Sequence, residues 1–588
     1  MCKRRSSGHY RALAPWLLGV VIVILVLLRL VHLGADTPSD YVVLERDRGL
    51  YVDEGYKTLS ARNMVTFGRE RWHPDDAYPG WLSDSPITQG VLYLLFSALG
   101  PSLETARLAA VICFSVLLLI FAAVFYRKIP GPAFWTGLLL IGCQPVIWTF
   151  SRVALFEIVS ILLVFGTLLI LRHRRASTAT SACVLLTVGA VAAFGVKLNA
   201  VYIVLPALFG LVLSGDVECS ERRLFWKAVL IGGVCLIPVI VVKLGYELPL
   251  GLTSAVLKAD LFPLAQMVEK YFANSNVRAD PFLVSVAHVS LLGLLLHRAG
   301  TFAGNPYRCA VTSIALIGTG ILAIMGEVPL RYCVLILPSY ILLIVEWWCE
   351  RAAPEPQRAS ASVRSRLGVV VAFVVLTLVV FDCMFLLSIG LSRDLGAPAT
   401  DEWPILGLVA AAIVVAFGLW GHRDRLLSER VVSRLATVVL CAGIVFNGYK
   451  VSERLLAPTW QVQTIGTELA GILPPDAVVA GDWSPLFALG TDLRVLYTDS
   501  RVNSPERFHV LRPSHFLYCQ TEYPSGDDGM RVKNMLKETA GVVVGEPLYR
   551  SEYTGLKVIL YPIVYSGSTQ QLDGLSTAFG ITPVRHED

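Results

Sequence analysis

Apolar runs separated by short charged connectors dominate the chain up to about residue 450, after which the text changes character. The first run, residues 17–33, is nearly uninterrupted and is preceded by Lys3, Arg4, Arg5 and Arg11. It is long enough to cross a bilayer, and with no small-residue cleavage site behind it, it reads as a retained anchor. Further spans are expected near 106–126, 132–149, 154–171, 178–196, 199–214, 225–243, 282–296, 309–326, 329–347, 367–391, 404–421 and 433–449, about thirteen in all. Residues 86–99 are apolar but too short to span, and read as an interfacial or re-entrant helix.

The connectors set the orientation. Arg127-Lys128, Arg172/Arg174/Arg175, Arg222-Arg223, Arg298/Arg308, Arg351/Arg358/Arg364/Arg366 and Arg423/Arg425/Arg430/Arg434 all fall on one side. By the positive-inside rule that side is cytoplasmic, with the N-terminus. An odd number of spans then places the C-terminus outside. Three segments face outward with enough length to carry function: a first loop over 35–105, a second over 244–281 with Lys258, Asp260, Lys270 and Arg278, and the tail from 450 to 588. The expected division is a transmembrane module over 1–449 and an extracytoplasmic domain over 450–588.

The tail alternates short strands (477–480, 493–497, 541–544, 557–565) with helices (460–472, 505–511, 528–539), the pattern of a small α/β domain. It holds no Gly-rich phosphate fingerprint, Walker motif or HExxH, so nothing assigns it catalysis of its own.

With 55% hydrophobic and 16% charged residues and a mean hydropathy of +0.61, the composition is that of an integral membrane protein. The net charge of +5 is spread through the connectors, which excludes a nucleic-acid-binding stripe. Most of the twelve cysteines lie inside apolar runs, with no CxxC pair and no zinc spacing.

Candidate chemistry gathers at the outer ends of the spans. The acidic pair Asp53-Glu54 follows the first span; a helix over 56–67 comes next, with Asp53 as its cap and Glu54 in its first turn. Arg107 opens the second span after Glu104, Arg152 and Glu157 open the fourth, Lys197 separates the fifth from the sixth, and Arg331-Tyr332 open the tenth. Glu157 is expected about one turn inside an apolar helix, where a carboxylate is costly and faces a polar cavity. Each basic residue alone also fits a snorkelling anchor. His288 reads as a hydrogen-bonded core histidine, Asp382 as a residue lining the interior, and the His73, Asp75, Asp76 run as a solvated loop rather than a cation site.

These residues sit in stretches that resemble the GT-C glycosyltransferases, above all the branch of protein O-mannosyltransferases and the bacterial aminoarabinose transferase that modifies lipid A. The resemblance is carried by DEGYKTLSARNMVTFG (53–68), ETARLAAVICF (104–114), SRVALFEIVSILLVFG (151–166), GVKLNAVYIVLPAL (195–208) and EVPLRYCVLILPSYILLI (327–344), in that order. It implies a polytopic α-helical membrane fold of GT-C type, in a bacterial inner membrane, with the site on the periplasmic side. It implies inverting transfer of a monosaccharide from a polyprenyl-phosphate carrier to a lipid, protein or glycan acceptor. Asp53 would be the catalytic carboxylate, with Glu54 and Glu157 positioning acceptor or sugar. Arg107, Lys197 and Arg331 would meet phosphate or carboxylate groups, with Arg152 and Tyr332 beside them. No cofactor is required, although the acidic pair could recruit a divalent cation.

The chemistry fits that placement. A sugar phosphate already carries its leaving group, so the enzyme has to orient a hydroxyl and take its proton, which an ionised Asp can do. Two other classes remain: a transporter or lipid flippase, which would use charges along a mid-membrane path and inverted repeats, and a ligase or polymerase moving a whole lipid-linked glycan.

Overall fold

The computed structural model describes residues 8–36, 50–78, 85–174, 176–214, 281–297, 305–324, 330–352, 371–382, 384, 411–416, 418–420, 428–498, 503, 507–520, 542–553 and 556–565. The expected second outer loop (244–281), the span at 225–243 and the tail helix at 528–539 lie outside these residues, apart from Pro281, which opens a helix.

Helices run in the order α1 (Gly8–Leu30), α2 (Leu50–Phe67), α3 (Pro86–Leu99), α4 (Leu103–Phe125), α5 (Gly131–Cys143), α6 (Pro145–Phe150), α7 (Glu157–Arg174), α8 (Thr178–Gly195) and α9 (Val201–Leu213). They continue as α10 (Pro281–His297), α11 (Pro306–Ser313), α12 (Thr319–Ile324), α13 (Leu330–Cys333), α14 (Leu337–Ala352) and α15 (Glu429–Leu456), then α16 (Gln461–Ile472), α17 (Ser484–Phe487) and α18 (Phe508–Leu511) in the tail. Among the described residues, three helices are each long and apolar enough to cross a membrane: Leu103–Phe125, Thr178–Gly195 and Glu429–Ser452.

Several expected spans are broken. The run at 132–149 divides at Gln144, whose side chain accepts from the Ile147 amide; Pro145, which has no N–H to lose, opens α6. The run at 309–326 passes through a π-helical turn over Ile314–Gly318, and that at 329–347 through a non-helical turn between α13 and α14. Such irregular backbone is tolerated at membrane depth where protein buries it or it lines a cavity.

The chain forms two compact units. The first comprises Met1–Leu33, Asp40–Asp47 and Ala110–Ala457. In it α10 packs on both α14 and α15, α14 on α5, and α9 on α8 and α11. Arg29 is buried in this bundle, donating to Ser151 Oγ at 2.8 Å and to the carbonyls of Leu25 and Gly142. His288 pairs with Asp382 (Nδ1–Oδ2 2.7 Å), the hydrogen-bonded core histidine expected from its apolar setting.

The second unit comprises Gly34–Ser39, Arg48–Ala109 and Pro458–Asp588, so the first outer loop and the tail share one body. Its sheet runs β2-β1-β3-β6-β4, with β5 also paired to β6, over β1 (Val478–Gly481), β2 (Arg494–Tyr497), β3 (His515–Gln520), β4 (Val542–Val544), β5 (Tyr549–Tyr553) and β6 (Leu556–Tyr565). β1 lies parallel to β2 and β3, while β6 runs antiparallel to β3, β4 and β5. Val478, Ala480, Leu496, Phe508, Leu511, Phe516, Val542 and Ile563 form its core.

Two glycines let helices close on α17. A Cβ at Gly55 of α2 would stand 2.2 Å from the Leu486 amide nitrogen, and one at Gly466 of α16 would stand 2.2 Å from the Phe487 carbonyl oxygen. The start of α16 is capped from a distance: Asp36 accepts from the Gln461 and Val462 amides at 2.7 and 3.1 Å and from Thr459 Oγ1 at 2.9 Å. Those amides have no partner within their own helix, so a carboxylate there is doubly favourable.

Candidate functional site

The acidic pair lies within α2, which begins at Leu50. Asp53 is therefore in the first turn of the helix rather than its cap, because the apolar Leu50, Tyr51 and Val52 extend the helix backwards. Consecutive helical residues point about 100° apart, and the pair separates accordingly. Glu54 is fully buried and Asp53 half-buried.

Arg107, itself 3% exposed, grips Glu54 in a two-pronged pair, Nε to Oε1 at 2.9 Å and Nη2 to Oε2 at 2.7 Å. Its Nη1 donates to the Ala35 carbonyl. The planar guanidinium matches the carboxylate prong for prong, so each buried charge is met. Gln89 of α3 pins the same helix. Its Oε1 accepts from the Ala61 amide at 3.1 Å and its Nε2 donates to the Lys57 carbonyl at 2.7 Å, bridging a rung of the α2 ladder.

One turn after Asp53, on the same face, Tyr56 packs against Tyr78 and Tyr497 with ring centroids 5.1 and 4.7 Å away. The Tyr78 hydroxyl donates to the Tyr56 carbonyl. Farther along α2, Arg62 donates to the Thr491 and Leu493 carbonyls at 2.7 and 2.6 Å, and burial pushes it down to about 10.

The loop beyond α2 departs from its expected solvated state. Asp76 is buried, accepting from Asn503 Nδ2 at 2.5 Å and the Tyr78 amide at 2.9 Å, and burial raises its pKa. Asp75 stays exposed, 3.7 Å from His73. Among the described residues no group of three or more His, Cys, Asp or Glu is placed to hold a metal ion.

The first unit holds a second acid–base pair. Residues 151–156 are non-helical, Phe156 takes φ +65°, and α7 starts at Glu157. Glu157 is thus the first residue of its helix, not one turn inside it, since the left-handed Phe156 cannot belong to the helix. Lys197, extended (φ −161°, ψ 135°) between α8 and a 3-10 turn over Leu198–Ala200, donates from Nζ to Glu157 Oε1. Tyr332 brings its ring centroid within 5.7 Å of that ammonium and packs against Tyr202 at 6.0 Å. The 3-10 turn packs against α7 and carries Asn199, 5% exposed.

Arg152 is placed elsewhere. It donates to the Val31 and His32 carbonyls, 2.7 Å each, and lies over Trp148. The Arg331 side chain falls outside the described residues, although its backbone belongs to α13.

Of the expected site residues, the structure thus unites Glu54 with Arg107, beside Asp53, and Glu157 with Lys197 and Tyr332. Sequence reading passed over Tyr78, Tyr497 and Asn199. Only Asn199 had a usable signal, a polar residue two positions after Lys197 in otherwise apolar text.

No family model matches the sequence, and no curated protein sequence does. Among solved structures, the chain matches the crystal structure of ArnT from Cupriavidus metallidurans bound to undecaprenyl phosphate, with a TM-score of 0.50 and 14% identity, covering 95% of this chain and 98% of that one. The match extends over nearly the whole length of both chains, and with the apolar helices it establishes the GT-C fold of a polytopic membrane protein.

Proposed function

We propose that this chain is an inverting glycosyltransferase that moves a monosaccharide from a polyprenyl-phosphate carrier to a hydroxyl acceptor, with Asp53 as general base. One observation carries the reading: the chain shares its fold, end to end, with a protein captured with undecaprenyl phosphate. The half-buried Asp53 next to an immobilised Glu54 supports the assignment of the base.

In this mechanism Asp53 accepts the proton of the acceptor hydroxyl as its oxygen attacks the anomeric carbon. The bond from that carbon to the phosphate oxygen breaks with inversion, and polyprenyl phosphate leaves with the bonding pair. Lys197 and Arg331 meet the charge that grows on the departing phosphate, and Tyr332 flanks Lys197. Glu157 holds the Lys197 ammonium in place. Glu54 and Arg107 act as positioning residues: their mutual pairing fixes the first turns of α2 and hence the carboxylate of Asp53. Arg152 belongs to the frame, through the carbonyls that end α1. The N-terminus is assigned to the cytoplasm of a bacterial cell, and the site and the α/β tail to the periplasmic face of its inner membrane.

The test supplies undecaprenyl phosphate carrying a radiolabelled sugar to membranes containing the chain. Label should appear covalently on a lipid, protein or glycan acceptor, one sugar at a time. Asp53→Asn should lower turnover by roughly 10²- to 10⁴-fold with membrane insertion unchanged. Movement of labelled lipid across the bilayer without transfer would replace this reading with a flippase, and transfer of long chains with a polymerase or ligase. Normal turnover in Asp53→Asn would remove Asp53 as the base.

A further inference from the structure

Asn199 takes no part in the proton or phosphate chemistry of Asp53 and Lys197, yet it is 5% exposed, and neither its Oδ1 nor its Nδ2 meets a hydrogen-bond partner among the described residues. A buried amide pays for desolvation and recovers nothing until a donor and an acceptor reach it. Its surroundings repeat the pattern. The turn that carries it packs against α7 and lies two residues beyond Lys197. On α7, Ser160 stands one turn past Glu157 on the same face, fully buried, with its Oγ likewise without a partner among the described residues.

The chemistry of these groups narrows what they can bind. An ionised phosphate offers acceptors alone and would leave Asn199 Oδ1 unmet. A sugar hydroxyl both donates and accepts, and a neighbouring pair of hydroxyls on one ring answers both ends of an amide at once. Ser160 adds a group of the same dual kind.

We infer that Asn199, assisted by Ser160, is the specificity-determining residue for the donor's sugar ring, reading a pair of adjacent hydroxyls while Lys197 meets the phosphate. The inference rests on the polyprenyl-phosphate donor proposed above and adds to it the group that separates a loaded carrier from an empty one.

The full-length protein in detergent is tested for binding to bare undecaprenyl phosphate and to a panel of hexosyl and pentosyl undecaprenyl phosphates, including monodeoxy sugars. The wild type should prefer one glycosylated lipid over the bare one and lose roughly tenfold when either contacted hydroxyl is removed. Asn199→Ala and the near-isosteric, uncharged Asn199→Leu should bind the bare lipid as the wild type does and weaken roughly 10- to 100-fold towards the preferred donor, and the deoxy penalty should disappear in them. Ser160→Ala should show a smaller loss of the same kind. Equal weakening towards bare and glycosylated lipid would overturn the inference in favour of a phosphate or structural role. Unchanged binding of both would overturn it in favour of a buried water satisfying the amide. A wild type indifferent to every ring hydroxyl would overturn it without any variant having to fold. Failure of the wild type to bind bare undecaprenyl phosphate would strike the donor reading itself.

Discussion

Glu54 with Arg107 and Glu157 with Lys197 are both buried carboxylate–cation pairs, one in each unit, and they differ in how completely they are closed. In the first, a guanidinium covers both oxygens of a fully buried carboxylate and also takes the Ala35 carbonyl. In the second, an ammonium meets a carboxylate oxygen beside an aromatic ring, near Asn199 and Ser160, whose side-chain polar atoms have no partner among the described residues. Planar Arg suits a closed clamp, whereas Lys is a compact charge that can turn to a second anion. Charge at the end of a span is therefore one sequence signal with two outcomes, a fastener or a site.

The largest effect should come from opening the closed pair. Glu54→Gln removes the carboxylate that pairs with the buried Arg107 guanidinium and should destabilise the second unit by about 3–5 kcal/mol, read as a lowered unfolding midpoint. The double variant Glu54→Leu with Arg107→Met should recover most of that loss, because no buried charge is left unanswered. If the single variant is as stable as the wild type, the pair is no fastener.

Acid should act on the same unit. Burial in β3 pushes His515 down to about 4 from its ordinary 6.5. The folded chain keeps the ring neutral while the unfolded chain takes up a proton below about 6.5. The stabilisation is therefore complete above pH 6.5 and is lost as pH falls through about 4, a change of about 3 kcal/mol. Unfolding midpoints measured between pH 7 and 4 should fall, and His515→Gln should flatten that slope.

The smallest stability change, with a functional consequence instead, is expected at the open pair. Lys197→Arg keeps a positive partner for the buried Glu157 but not the compact ammonium, so it should lower kcat/KM for the labelled donor by roughly tenfold or more, while the unfolding midpoint moves less than in Glu54→Gln. Unchanged donor dependence would make Lys197 an anchor and erase the contrast between the pairs.

Much of the frame was legible from periodicity. The apolar runs at 178–196 and 433–449 return as α8 and α15, and the tail strands at 477–480, 493–497, 541–544 and 557–565 return within a residue or so as β1, β2, β4 and β6. Two strands, His515–Gln520 and Tyr549–Tyr553, went unread, because their mixed polar and aromatic text lacks a clear period of two. Helix starts were less legible still: α2 begins before Asp53 and α7 begins at Glu157, both decided by neighbouring backbone rather than by capping residues. The buried state of Asp76 depends on Asn503, far along the chain, and no local pattern announces it.

What the sequence determined by itself was the membrane-spanning character and the presence of carboxylates and cations at span ends, since hydropathy and charge are sums over local composition. Only the tertiary structure decided which carboxylate meets which cation, that the first outer loop and the tail form one unit, and that Asn199 is enclosed without a partner among the described residues. Pairing and burial depend on contacts between residues tens to hundreds of positions apart. Their geometry is set by close approaches such as that of Gly55 to Leu486, which no window of sequence contains.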